Sequence, residues 1–224
     1  TRFFGKTAAV IGGKTAMAKA KKAMIDGVAG SDVKLLDFIE YGGDSTYENG
    51  DALIANPTVR DADMIFAVGG GRACDTGKYV ADKLDKPLFT FPTVASNCAS
   101  VTAISVIYNP DGSFREYYYP KLANHCFINS AVIADSPEQL LWAGIGDTYA
   151  KYYEAMISSR DEQLEHFTAL GVEVSRMCRD PLLTYSKQAL EDHKQGLCTY
   201  AVEQVVLAIV VTTGIASIFL TKDF

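Results

Sequence analysis

Asp63-Met-Ile-Phe-Ala-Val68, followed by Gly69-Gly70-Gly71 and then Arg-Ala-Cys-Asp75, is the stretch that decides the fold. A short, unbroken apolar run ahead of a glycine cluster reads as a strand buried on both faces. From about Ala73 to Leu84 the apolar residues return at helical spacing. Three successive glycines carry a large conformational-entropy cost for a plain turn. Without side chains, the backbone can approach a phosphate, with the first N–H groups and the dipole of the helix facing the anion. A tight βα turn with no ligand is the other reading of the same residues. The pattern is neither Gly-x-Gly-x-x-Gly nor a Walker loop, because no Gly-Lys-Ser/Thr follows. It points to a nucleotide without saying which.

The same unit repeats outward. Thr7 to Gly12 is a short apolar run ending in Gly12-Gly13, and Thr15 to Ile25 has helical period. Val33 to Ile39 is a second strand, followed by Gly42-Gly43 and a helical stretch from about Ser45 to Ala55. Pro87 to Phe91 is a fourth strand, ending at Pro92-Thr93. Strands alternating with helices through short turns predict right-handed crossovers and a parallel sheet, with ligands at the carboxyl ends of the strands. From Ala103 the pattern changes. Ala103 to Tyr108 and Phe114 to Tyr118 flank the turn Asn109-Pro-Asp-Gly112, which predicts a hairpin. Cys126 to Ile128 and Ala131 to Ala134 are strand-like returns to the sheet. Ser136-Pro137-Glu138 has the residue types of a helix start. Beyond it the period is helical, with breaks expected at Pro181 and Gly196. The expected organisation is α/β: a Rossmann-like parallel-sheet nucleotide-binding domain over residues 1–135, then the start of an all-helical domain over 136–224.

The chain has 224 residues, 48% hydrophobic and 21% charged, with 21 Lys and Arg against 27 Asp and Glu. A net charge of −6 without a basic stripe argues against a nucleic-acid partner. Cys74, Cys98, Cys126, Cys178 and Cys198 are odd in number and widely spaced, so neither a disulfide framework nor a zinc ribbon is expected. The chain reads as reduced, intracellular and cytoplasmic. No apolar signal core follows Thr1 and Arg2. The apolar run Val205 to Leu220, interrupted by Thr212, Thr213 and Ser217, is shorter than a bilayer span needs and reads as a buried helix rather than a membrane segment. Thr1 is not Met and Phe224 closely follows that apolar run, so both ends look like cuts.

Several groups could carry chemistry. Asp75 and Lys78 lie one helical turn apart, a spacing that suits a surface ion pair and equally places Asp75 near the ligand of the glycine turn. Thr93, Ser96, Asn97 and Ser100 offer small polar groups after the fourth strand. Cys98 lies among them with no nearby histidine to activate it. Gly144-Ile-Gly146-Asp147 begins or interrupts a helix. Its glycines allow a close approach, and Asp147 is either a cap or a metal ligand. One carboxylate is not a metal site, and His125, His166 and His193 are scattered, as surface histidines are.

Taken in order, these segments resemble the iron-containing alcohol dehydrogenase superfamily, in its glycerol dehydrogenase branch. The resemblance rests on Phe4 to Lys14, Ala67 to Asp75 with Lys78, Pro92 to Ser96, Ala103 to Tyr108, Ile133 to Asp135 and Ala143 to Asp147. It implies an NAD- or NADP-linked, metal-dependent dehydrogenase of a polyol or small alcohol. The cofactor pyrophosphate would lie on Gly70 and Gly71, near Asp75 and the Gly13 turn. Thr93 and Ser96 would touch the dinucleotide, while Thr102, Ile104 and Tyr108 would line its nicotinamide half. Asp147 would bind a zinc or iron ion, with two histidine ligands expected beyond residue 224. The helical domain would close the cleft and exclude water, and the family commonly forms homo-oligomers.

Two departures bear on specificity. The branch usually has Ser-Thr-Asp-Ala where this chain has Ser96-Asn-Cys98-Ala99, and that Asp contacts glycerol, so Cys98 falls at a substrate position. Members often have an acidic residue after the first strand that selects NAD; here Gly13 and Lys14 stand there, which leaves NADP open. Two alternatives accompany this reading. A lyase resembling 3-dehydroquinate synthase shares fold and cofactor but grips a substrate phosphate with basic residues, which the loop after Ser96 lacks. A non-catalytic dinucleotide-binding module fits if the chain naturally ends near Phe224.

Overall fold

The computed structural model describes residues 4–220. The expectations attached to Thr1, Arg2 and Phe224 lie outside them. The chain divides into two compact units, one comprising residues 1–93 and 103–128, the other 94–102 and 129–224.

The first unit is a parallel sheet covered on both faces. Its strands are β1 (Thr7–Gly12), β2 (Lys34–Glu40), β3 (Met64–Gly69), β4 (Leu88–Pro92) and β7 (His125–Cys126), in the order β2-β1-β3-β4-β7, with every pairing parallel. Helices α1 (Lys14–Val28), α2 (Tyr47–Ala55), α3 (Pro57–Asp61) and α4 (Gly71–Lys83) make the crossovers. Strand alternation sorts the core into two layers. Ala8, Val10, Met64, Phe66, Val68 and Phe89 pack on one face with Met17, Ala20 and Met24 of α1. Ala9, Ile11, Ile65, Ala67 and Leu88 pack on the other with Leu53 of α2, Val59 of α3 and Val80 of α4. This explains why β3 is apolar at every position: all six residues are buried. Phe66 and Phe89 meet edge-to-face, 5.4 Å apart, a geometry worth roughly 0.5–1.5 kcal/mol beyond area burial.

The expected hairpin is present. Strands β5 (Ser105–Tyr108) and β6 (Phe114–Tyr118) form a separate antiparallel pair, closed by Gly112 at φ +84°. The return to the sheet ends sooner than expected. Ala131 to Ala134 is not a strand but part of helix α5 (Ser130–Ala134), because Asn129 caps it by accepting N–H bonds from Ala131 and Val132.

The second unit is helical: α5, α6 (Glu138–Ser158), α7 (His166–Lys194), then α8 (Tyr200–Leu207), a π-helical turn (Ala208–Thr212) and α9 (Thr213–Leu220). Pro181 does not break α7, which runs through it for 29 residues; packing along α7 by α6, α8 and α9 outweighs the lost hydrogen bond. Gly196 does end it, at φ +67°. Ser136 does not cap α6; Pro137 holds that position without a side-chain bond.

The division between the units falls after Ile128 rather than after residue 135, and Val94–Thr102 belongs with the helices. Two glycines account for this. A Cβ on Gly144 would stand 2.1 Å from the Ala95 carbonyl oxygen, and one on Gly214 would stand 2.8 Å from Val101. Their absence lets the segment lie directly on α6 and α9. The apolar run is also longer than expected: Tyr200–Leu220 is 21 residues, long and apolar enough to cross a membrane by length and composition. Its residues Ala201, Val202, Val205, Val206, Ile209 and Val210 are buried in the unit.

Candidate functional site

The chain reverses its winding direction between β1 and β3. The first crossover leads from β1 to β2 on one side and later ones to β3 and β4 on the other, with α1 on one face and α4 on the opposite one. Such switch points open a crevice at the carboxyl ends of the strands. A Cβ on Gly12 would lie 2.3 Å from the Val68 carbonyl oxygen, so these strand ends are too close for a side chain. Gly69 has φ +147°, and its Cβ would stand 2.8 Å from that of Ala73 and 3.9 Å from the Gly13 nitrogen. The two glycine turns therefore touch.

Gly13 is the N-cap of α1 and Gly70 that of α4; neither cap has a side-chain hydrogen bond, and neither first turn has an acidic residue. Helices α2, α3, α5 and α8 all have side-chain caps. Of the four helices described without one, only α1 and α4 start at the ends of parallel strands. Two adjacent helix N-termini thus present N–H groups without intrahelical partners where a diphosphate has its oxygens. The arrangement fits the phosphate part of a dinucleotide.

Thr93 follows β4 and donates its N–H to the Gly69 carbonyl at 3.2 Å. Tyr108, at the end of β5, donates its N–H to the Ser45 carbonyl at 2.8 Å. The Arg72 guanidinium stacks on the Tyr108 ring at 4.8 Å and pairs with Asp44 at 3.0 Å. Sequence reasoning passes over Arg72, although a cation directly after three glycines is the available signal. Gly13, Gly70, Gly71, Thr93 and Tyr108 are thereby gathered around one strand-end region.

Asp75 and Lys78 are not a surface pair. Lys78 Nζ lies 2.9 Å from Asp75 Oδ1, and the side chains are 0% and 6% exposed. The Val106 N–H donates to Asp75 Oδ2 at 3.1 Å, and Lys78 donates to the Ile104 carbonyl. Burial pushes the Asp75 carboxyl above its ordinary value, while Lys78 and the Val106 N–H oppose this. Cys74 beside it is fully buried and its thiol is pushed up to about 12, which keeps it protonated and inert.

Ser96, Cys98 and Thr102 lie in the segment belonging to the helical unit, in a compact turn where Thr102 Oγ1 donates to the Ala99 carbonyl. Asp147 lies in the middle of α6, so it is not a cap. Lys151, one turn on, pairs with Glu154 at 2.7 Å. Desolvation pulls the Lys151 ammonium down, but Glu154, Asp147 and Cys98 together hold it above its ordinary value. Among the described residues no three His, Cys, Asp or Glu side chains converge on a metal site. Asp147 by itself does not make up a metal centre. His193 is buried, not a surface residue, and its Nε2 lies 3.1 Å from the Ile133 carbonyl oxygen.

Fold and turn geometry define a class: a doubly wound parallel sheet followed by a helical unit. Within that class, the chain belongs to the iron-containing alcohol dehydrogenase family, whose pattern matches residues 1–136. It is 36% identical over 160 residues to glycerol dehydrogenase 1 of Schizosaccharomyces pombe, covering 69% of this chain and 36% of that protein. It is 38% identical over 156 residues to hydroxycarboxylate dehydrogenase A of Escherichia coli K12, covering 69% and 43%. The crystal structure of glycerol dehydrogenase from Schizosaccharomyces pombe superimposes with a TM-score of 0.82 at 29% identity, over 96% of this chain and 55% of that one. The chain thus spans less than half the length of these two curated relatives.

Proposed function

We propose that this chain carries the dinucleotide-binding part, and the first helices of the metal-binding part, of an NAD(P)-linked dehydrogenase that interconverts a small alcohol or polyol with its carbonyl product. The paired, uncapped helix N-termini at Gly13 and Gly70 carry the reading. When bound, the nicotinamide supplies the hydride acceptor. The N–H groups at Gly70 and Gly71 hold the pyrophosphate, and Thr93 and Ser96 contribute hydroxyls. Thr102, Ile104 and Tyr108 line the nicotinamide half, and Asp75 acts from behind the loop rather than on the ligand. The reading also requires a divalent cation, zinc or iron, with Asp147 as one ligand and histidines outside residues 1–224 as the others. A soluble, cytoplasmic homo-oligomer completes it.

One observation favours a substrate carrying a carboxylate beside its hydroxyl over glycerol. Cys98 provides no anionic acceptor for a polyol hydroxyl. The relative called hydroxycarboxylate dehydrogenase A agrees with that class. The test is calorimetry of NAD and NADP on full-length protein, then rates with glycerol, a simple diol and a 2-hydroxy acid. Absence of dinucleotide binding refutes the enzyme reading; a glycerol rate equal to that of the hydroxy acid refutes the carboxylate preference.

A further inference from the structure

We propose that the buried Asp75–Lys78 pair is a positioning device that fixes the segment Ile104 to Tyr108 against the phosphate-binding end of α4. This rests on the dinucleotide reading above. Two residues of α4 hold three successive residues of the other segment. Lys78 donates to the Ile104 carbonyl, the Ser105 hydroxyl donates to the Asp75 carbonyl at 3.1 Å, and the Val106 N–H donates to Asp75 Oδ2 at 3.1 Å. Among the described residues, strand β5 pairs only with β6 and has no ladder bond to the parallel sheet. Its placement on the unit rests on these tethers, on the Tyr108 contacts with Ser45 and Arg72, and on its partner strand, where Tyr118 donates to Asp82 and Glu116 accepts from Tyr47.

Energetics separate positioning from simple stabilisation. Burying a carboxylate and an ammonium costs desolvation that their attraction barely offsets, and apolar replacements often fold as well or better. Stability alone therefore does not explain a pair shut away from water. Geometry does. Asp75 is one turn from Gly71 on the same helix, so the pair ties the backbone around Ile104 to the helix whose N-terminus holds the phosphates. Asp75 is only 4% exposed and its carboxylate is directed at Lys78 and Val106, so it acts through the segment rather than on the ligand.

The test compares full-length wild type with the double variant Asp75→Asn/Lys78→Met, which removes both charges and leaves an amide oxygen at position 75 to accept from the Val106 N–H. Three readouts apply: thermal melting, amide exchange at Ile104–Tyr108 without cofactor, and calorimetric dinucleotide affinity. We expect melting close to wild type, exchange faster by about tenfold as the segment loosens, and affinity weaker by about five- to tenfold, the equivalent of one lost hydrogen bond. A folded double variant with wild-type exchange, or with affinity within twofold of wild type, overturns the proposal. If that variant does not fold, Ser105→Ala removes one tether at little risk. It is expected to raise exchange at residues 105 and 106 and to weaken affinity about threefold, and unchanged values overturn the proposal. A wild type that binds no dinucleotide refutes the underlying reading instead, and exchange in the ligand-free protein still decides whether the pair holds the segment.

Discussion

Gly144 and Gly146 look equivalent in Gly-Ile-Gly-Asp147, yet they should respond oppositely to the same substitution. A Cβ on Gly144 would sit 2.1 Å from the Ala95 carbonyl oxygen, 3.0 Å from its carbon and 3.1 Å from Ile209 Cδ1. The oxygen and carbon belong to backbone, so no side-chain rotation relieves the clash. The Ala95 peptide has to retreat by more than about 1 Å to regain ordinary van der Waals separation. Overpacking of this kind costs roughly 1–3 kcal/mol, and the better helix propensity of alanine returns about 1 kcal/mol. Gly144→Ala should therefore destabilise by up to about 2 kcal/mol. A Cβ on Gly146 meets nothing within 4 Å, so Gly146→Ala should stabilise by about 0.5–1 kcal/mol through propensity alone. Urea unfolding measures both as shifts of the midpoint at constant slope. On the proposed reading, in which Ser96 and Thr102 contact the dinucleotide, Gly144→Ala should also weaken its affinity while Gly146→Ala leaves it unchanged. If Gly144→Ala proves as stable as Gly146→Ala, the close seating of residues 94–102 on α6 is wrong.

Gly13 adopts the extended conformation of an N-cap, at φ −76° and ψ 143°, and a Cβ there meets nothing nearer than 3.6 Å. Gly13→Asp should raise stability by a few tenths of a kcal/mol as a better cap and lower NADP affinity relative to NAD about tenfold or more by repelling the 2′-phosphate; parallel titrations with the two cofactors check it. Asp63 accepts N–H bonds from Lys6 and Thr7 at 2.8 and 2.9 Å, which hold its carboxyl below the ordinary 3.8. With a depressed folded value, the stabilisation is complete above the unfolded value and is lost as pH falls through the folded one. The protection factors of amides at the start of β1, taken relative to intrinsic exchange at each pH, should therefore fall on acidification below about pH 4, and Asp63→Asn should flatten that dependence.

What the sequence makes legible here is what the backbone demands locally. Strand β3 shows its burial because both faces are covered, so every position is apolar. The glycine turns show themselves because Gly12 and Gly69 have no room for a side chain. Short apolar runs carry less information: Ala131 to Ala134 suits either a strand or a helix, and the Asn129 cap decides between them. Pro181 reads as a break because local chemistry disfavours it, whereas the surrounding helices hold α7 intact.

The pair at Asp75 and Lys78 marks the limit most clearly. Its i, i+3 spacing is identical on a wet surface and in a core, and its burial depends on β5, whose nearest tether is about thirty residues further along the chain. Gly144 and Gly146 repeat the lesson, since only Ala95, far away in sequence, distinguishes them. Long-range contacts of this kind leave no periodicity to read. They are also what determines which residues hold a ligand and which hold the residues that do. On the proposed reading Asp75, expected near the ligand, serves as a support, because its carboxylate is directed at Lys78 and Val106 within the fold.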